Sequence, residues 1–138
     1  MLVRLTIFTI LIAWANCTGV TAQPPPKERS PGELIVGEWL LTKVDGRSNP
    51  AKTFDMIMSF TSDGKFKSYA RGKNGETAKS ATGSYRVVGD GIELSAAQPG
   101  DGAATRVPII RLTTTELVLD LPGSGELRRM EYVREKTK

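Results

Sequence analysis

The residues that could carry acid, base, thiol or metal chemistry are few in this chain of 138 residues. It contains no histidine and one cysteine, Cys17, so histidine-based triads and histidine-ligated metals or haem are excluded. The carboxylates on predicted strands are isolated from one another: Glu38, Asp55, Asp120 and Glu131. Strand alternation turns Asp55 and Asp120 outward, away from any shared site. We therefore expect no catalytic residue, no cofactor and no metal, and a protein that is not an enzyme.

Two Gly-Asp-Gly triplets, at 89–91 and 100–102, contain the kind of oxygen ligand that calcium uses. The same triplet is typical of a tight turn, because glycine accepts positive φ and aspartate hydrogen-bonds to its own backbone. We interpret both triplets as turns.

The first residues have the pattern of a secretory signal peptide. Leu5 to Ala15 is an apolar run of about a dozen residues, too short for a membrane span but long enough for a signal-peptide core. Small residues in Val20-Thr21-Ala22 predict cleavage before Gln23. We predict that residues 1–22 are removed and that the protein is exported to the periplasm or the extracellular space, with no transmembrane segment left.

Cys17 raises the alternative of a lipid anchor, but Trp14-Ala15-Asn16 fits a lipidation signal poorly. With cleavage after Ala22, Cys17 leaves with the signal peptide, and the mature chain can form no disulfide. The loss of Arg4 leaves 18 basic and 15 acidic residues and a net charge of +3. The basic residues are scattered rather than clustered with aromatic residues, so we expect no nucleic-acid partner.

Proline content divides the mature chain into a lead and one folded domain. Residues 23–33 are polar and rich in proline, and we expect them to be extended or disordered. The domain follows over residues 34–134, about one hundred residues with a single core. Residues 135–138 form a charged tail.

A period of two runs through the domain and predicts short strands. The clearest strand spans Phe54 to Phe60, in which Ile57 is predicted to face outward with its polar neighbours. A second outward row is Lys65, Lys67, Tyr69 and Arg71. The side chains predicted to face inward after the first strand include Phe54, Met56, Met58, Phe66, Ala70, Tyr85, Leu94, Ile109, Leu119 and Met130.

Tight turns such as Asp63-Gly64 and Asn74-Gly75 separate these strands, because glycine accepts the positive φ of a hairpin turn. There are about eight strands at near-regular spacing, and no segment has a convincing helical period. The pattern predicts an all-β fold, an eight-stranded antiparallel up-and-down barrel, over a Greek-key sandwich or an open meander. Gly83 predicts a bend or close approach in the wall, and Pro108 an edge, bulge or gap.

Five short motifs occur in the order found in a known family. They are Gly37-Glu38-Trp39-Leu40-Leu41, Phe60-Thr61-Ser62-Asp63-Gly64-Lys65-Phe66, Gly83-Ser84-Tyr85-Arg86-Val87, Leu112-Thr113 to Leu119, and Glu131-Tyr132-Val133-Arg134. On these motifs the chain resembles the small exported lipocalin-like domain proteins of bacteria. The resemblance covers essentially the whole domain and implies a calycin-type barrel that binds a small apolar ligand.

Trp39, at the start of the first strand, is predicted to plug one end of this barrel. Arg134 shares a face of the last strand with Met130 and Tyr132, and the first and last strands are neighbours in a closed meander. Arg134 is then expected over the indole, a pairing that the resemblance also implies. The alternative is a solvated arginine before the charged tail.

The inward side chains allow two interpretations of function. In the first, the barrel binds a small hydrophobic molecule, and methionines supply adaptable contacts. The predicted ligand contacts are Met56, Met58, Phe66, Tyr85, Leu94, Ile109, Leu119 and Met130. In the second, these side chains fill the barrel, and the protein is an envelope structural or protein-interaction module with no small-molecule ligand. In both we expect a monomer.

Overall fold

The structure, a computed structural model, describes residues 27–49, 53–97, 103–123 and 125–136, with residues 79 and 80 described by their backbone alone. The predicted signal peptide with Cys17, the first residues of the proline-rich lead and the triplet at 100–102 lie outside these ranges. The elements in chain order are α1 (Pro31–Ile35), β1 (Gly37–Val44), β2 (Arg47–Ser48), β3 (Phe54–Phe60), β4 (Lys65–Gly72), β5 (Thr77–Val88), β6 (Gly91–Ala96), β7 (Thr105–Leu112), β8 (Glu116–Pro122) and β9 (Leu127–Arg134).

Eight of these strands, β1 and β3 to β9, form a closed antiparallel barrel. Each strand from β3 onward pairs with the next along the chain, and β9 returns to pair with β1 beside β3. The predicted eight-stranded up-and-down barrel is therefore confirmed. The two-residue β2 folds back on the end of β1 through Asp45 and Gly46, whose φ angles are 50° and 75°. Two successive positive φ values suit a tight hairpin turn.

The inner face of the barrel holds one apolar core, built by strand alternation. Its buried members are Ile35, Trp39, Leu41, Met58, Phe60, Phe66, Ile92, Val107, Leu117, Leu119 and Tyr132. Gly83 lies where the wall is tight, since a side chain there would overlap the Ser95 carbonyl and the Phe66 ring. A bulge between Ile109 and Arg111 follows Pro108 directly.

Two residues of β3 differ from the expected alternation. Ile57 faces outward, yet it is 1% exposed, because Leu40 and Tyr69 lie directly opposite it on the two flanking strands. Phe54 was expected in the interior and is 40% exposed, because it begins the strand at an open end of the barrel. Alternation predicted the face of each side chain but not how far its neighbours cover it.

A short helix replaces the end of the expected disordered lead. Ser30 caps α1, the Glu33 carboxylate accepts a hydrogen bond from the Ser30 backbone N–H, and Pro31 begins the helix. This capping box stabilises a single turn that has no apolar repeat, which is why the periodicity did not indicate a helix. The turn buries Ile35 completely, so the folded unit begins before Leu34. In the described part of the chain, no helix is long and apolar enough to cross a membrane.

The C-terminal boundary also lies beyond the expected one. Glu135 donates its backbone N–H to the Glu38 carbonyl at 2.8 Å and accepts a hydrogen bond from Arg71 at 2.6 Å. Glu135 is therefore held against the barrel wall by these bonds, although β9 ends at Arg134.

Candidate ligand site at the open end of the barrel

One end of the barrel is plugged by the residues around Trp39. Its indole is fully buried and donates from Nε1 to the Ile35 carbonyl at 2.7 Å, which ties α1 to the barrel. Tyr85 meets Phe60 edge-on nearby, with ring centroids 4.9 Å apart, and donates its hydroxyl to the Thr61 carbonyl. We call this the closed end.

Arg134 covers the plug from the last strand. Its guanidinium carbon lies 4.2 Å from the centroid of the Trp39 ring, directly across the β1–β9 pairing. Its nitrogens donate to the carbonyls of Leu34, of Val36 at 2.7 Å and of Thr114 at 2.6 Å. Desolvation, and to a lesser degree the charge of Arg29, lower the pKa of Arg134. The arginine thus joins the helix, the first strand and the β7–β8 turn.

The glycine before the tryptophan is required by this arrangement. Gly37 has a φ of 139°, which side chains with a Cβ rarely adopt. A Cβ at this position would also overlap Nη1 of Arg134. The Gly-x-Trp motif therefore reflects the close approach of Arg134.

The opposite end of the barrel holds a cavity of about 490 Å³. It lies between the beginning of β3, the end of β4 and the beginning of β5, on the face that elsewhere forms the core. Its lining residues are Thr53, Phe54, Met56, Ala70, Gly72, Glu76 and Ala78. Small residues on β4 and β5 leave the space, while Phe54 and Met56 supply most of the apolar wall. We call this the open end.

The predicted ligand contacts are divided between the two ends. Of the eight, Met56 lines the open-end cavity. Met58, Phe66 and Leu119 are buried in the core, and Tyr85 packs at the closed end. The remaining three, which are partly buried against the core, are Leu94, Ile109 and Met130. Contact of any of these residues with a ligand stays a prediction.

The sequence analysis did not select the small and polar residues of the cavity. Four of the lining residues do not stand out in an apolar strand pattern, and the cavity exists where larger side chains are missing. They are Thr53, Gly72, Glu76 and Ala78. The available signal was positional, since Gly72, Glu76 and Ala78 flank the predicted Asn74-Gly75 turn and Thr53 directly precedes β3.

The isolated carboxylates lie on the outer wall, where each has a partner. The pairs are Asp55 with Arg71, Asp120 with Arg129, Glu131 with Lys43, and Glu38 with the Tyr69 hydroxyl. Hydrogen bonds from Arg129 hold the pKa of Asp120 below its usual value. Within the described ranges, no three carboxylate side chains are grouped so that they could hold a metal ion.

The closed, eight-stranded antiparallel barrel is that of a lipocalin-like, calycin-type fold. The family model of the lipocalin-like domain matches residues 35–119, which is more than half of the chain. The chain therefore belongs to the lipocalin-like domain family.

Two solved structures share this fold. One is a lipocalin-like protein from Bacteroides uniformis ATCC 8492, 16% identical, with a TM-score of 0.55 over 73% of this chain and 98% of that one. The other is an uncharacterized protein from Bacteroides eggerthii DSM 20697, 18% identical, with a TM-score of 0.57 over 73% of this chain and 99% of that one. At this identity the likeness concerns the fold alone. No curated protein matches the chain.

Proposed function

We propose that this protein binds a small apolar molecule at the open end of its barrel, without chemical conversion of that molecule. The observation that carries the proposal is the open-end cavity, in which Phe54 and Met56 remain accessible on the face that holds the core. Its volume of about 490 Å³ falls in the usual range of small-molecule sites.

The chemistry of the lining favours an apolar ligand. Met56 has a flexible and polarizable side chain that adapts to varied apolar shapes, and Phe54 offers an aromatic face. Ala70 and Ala78 lie directly opposite each other on β4 and β5, which makes a smooth wall. A ligand that covers these groups would remove apolar surface from water, the main driving force for such binding.

A non-catalytic role agrees with the residues available. The chain has no histidine, and the outer-wall carboxylates are engaged by arginine, lysine or tyrosine. We further propose export, which rests on the predicted signal peptide over residues 1–22, and a monomeric state in the periplasm or outside the cell.

Direct binding of the fluorescent apolar probe N-phenylnaphthylamine tests this function. We expect saturable binding by the full mature chain and its loss in Met56→Asp, which places a charge in the cavity wall. Thr82→Asp is the matched control, because Thr82 is exposed on the outer wall opposite Lys67. The control is expected to bind as the unaltered protein does.

The filled-barrel interaction module makes the contrary prediction. A folded protein that binds no apolar probe at saturable sites would reject the ligand-binding proposal and favour that alternative. Equal loss of binding in Met56→Asp and Thr82→Asp would reject the open-end cavity as the site.

A further inference from the structure

The inner wall of the barrel carries a tyrosine hydroxyl without a partner. Tyr132 lies on β9 between Leu41 of β1 and Leu117 of β8, and it is 6% exposed. Its hydroxyl forms no hydrogen bond with any described residue, whereas the hydroxyls of Tyr69 and Tyr85 each donate one. Burial also raises the pKa of Tyr132, so its hydroxyl stays protonated and can both donate and accept.

An unpaired hydroxyl inside a protein is costly, and native proteins normally pair it with protein, water or ligand. Among the described residues, the one unpaired polar side-chain atom sealed from solvent is Oε2 of Glu135, on the outer wall. The Tyr132 hydroxyl is therefore in contact with space that a water-sized group can reach. It is a polar contact point inside an apolar barrel.

Tyr132 belongs to the apolar core against which Met56 of the open-end cavity packs. Tyr132 pairs with Leu41, and Leu40 pairs with Ile57. Met56 packs against the buried cluster that contains Leu41 and Tyr132. Met56 in turn pairs with Ala70, and both line the cavity.

A second hydroxyl lies on the inner wall, on β4. Ser68 precedes Ala70 by one inward position on β4 and pairs with Met58. It is half-buried, and it too forms no hydrogen bond with any described residue. Two hydroxyls of the inner wall, those of Tyr132 and Ser68, thus form no hydrogen bond with a described residue.

The charged side chains near Tyr132 and the open-end cavity argue against an ionised ligand. Arg134 lies one inward position from Tyr132, but its three hydrogen-bonding nitrogens are engaged by backbone carbonyls. Arg128 lies on the same face of β9 but is exposed at the open end. Among the described residues that line the cavity, Glu76 is the one that ionises, and it is acidic. A carboxylate head beside Tyr132 would therefore meet no guanidinium nitrogen that lacks a partner.

We propose that the ligand is a neutral amphiphile, such as an alcohol, ester or amide, whose polar group enters first and hydrogen-bonds to Tyr132 and Ser68. Its apolar chain then lies along Met56 and extends past Phe54 toward the open end. This inference rests on the proposed binding function and adds the chemical class and orientation of the ligand.

Displacement of N-phenylnaphthylamine by dodecanol and by ionised dodecanoate tests the inference. We expect dodecanol to compete more strongly than dodecanoate, and Tyr132→Phe to weaken dodecanol by about fivefold to tenfold, the loss of one neutral hydrogen bond. The probe has no hydroxyl contact to lose, so its own binding should change by less than about twofold. Ser68→Ala should weaken dodecanol by a smaller factor in the same direction.

Tyr69→Phe is the matched control, because it removes a tyrosine hydroxyl from the outer wall. It should leave dodecanol binding unchanged. Thermal melts of each variant check the fold, and Tyr132→Phe should not lower the melting temperature, since the deleted hydroxyl has no partner.

The outcomes separate the two proposals. Normal probe binding with unchanged dodecanol affinity in Tyr132→Phe and Ser68→Ala would overturn the inference and leave the binding function intact. Stronger competition by dodecanoate than by dodecanol would overturn the neutral class. Absence of binding by both probe and dodecanol in the unaltered protein would overturn the function itself.

Discussion

The two ends of this barrel use the same kinds of side chain for opposite purposes. At the closed end, Trp39 and Ile35 are fully buried and Arg134 covers them. At the open end, Phe54 is 40% exposed and Met56 lines a cavity. A barrel of eight strands is just wide enough to be filled by its own side chains. Whether it is filled therefore depends on what covers each end, and among the described residues the one helix lies at the closed end.

The difference implies that stability is concentrated at the closed end. Trp39→Ala should lower the free energy of unfolding by about 3–5 kcal/mol, the usual cost of deleting a buried large aromatic. Phe54→Ala, its open-end counterpart, should cost about 1 kcal/mol or less, because much of the ring is already in water. Urea unfolding of both variants measures the two values. Similar losses would mean that the open end is as much a part of the core as the closed end.

Tyr132, between the two ends, should make stability fall in strong alkali. Burial raises its pKa in the folded state above the value of about 10 for an unfolded tyrosine, so above that pH the unfolded chain releases a proton that the folded chain keeps. This contribution is complete below about pH 10 and then declines by about 1.4 kcal/mol per pH unit. Unfolding of Tyr132→Phe between about pH 9 and 11 should show a flatter decline.

Tyr85→Phe sharpens this test. Desolvation, followed by the charge of Asp63, also raises the pKa of Tyr85, but that side chain is less buried. It should flatten the decline by less than Tyr132→Phe does. The reverse order would contradict the interior position assigned to the Tyr132 hydroxyl.

Among the described residues of the lead, those of α1 hold the plug at the closed end. Removal of residues 23–29 should leave the melting temperature nearly unchanged, since the capping box begins at Ser30. Removal of residues 23–33 deletes Ser30, Pro31 and Glu33 and should cost about 1 kcal/mol, or roughly 4–8 °C in a domain of this size. Equal melting temperatures for the two variants would show that the helix does not hold the plug.

The smallest expected effect is the coupling between Trp39 and Arg134. A double-mutant cycle with Trp39→Phe and Arg134→Met should give an interaction free energy of about 0.5–1 kcal/mol, typical of a guanidinium that remains partly exposed over an aromatic ring. Strict additivity would mean that the backbone carbonyls, rather than the indole, account for the stabilising effect of Arg134.

Local pattern by itself determined most of the architecture. The period of two in β3 and β4 assigned inner and outer faces, because successive side chains of a strand point to opposite sides. The Asp-Gly and Asn-Gly pairs marked the hairpins, because glycine there takes positive φ. Together with the motifs, they predicted the closed barrel and the family. The capping box of α1 was also present in the sequence, at Ser30 and Glu33, but it forms one turn without periodicity.

Only the tertiary structure decided where the interior is full and where it is open. Burial depends on neighbours that are distant in sequence: Leu40 and Tyr69 bury the outward Ile57, and small residues on β4 and β5 leave Met56 accessible. The unpaired hydroxyl of Tyr132 is a further case, since its lack of a partner follows from the apolar strands on either side. Strand alternation determines the face on which each side chain lies. How completely the barrel interior is filled depends on the side chains of all the strands together.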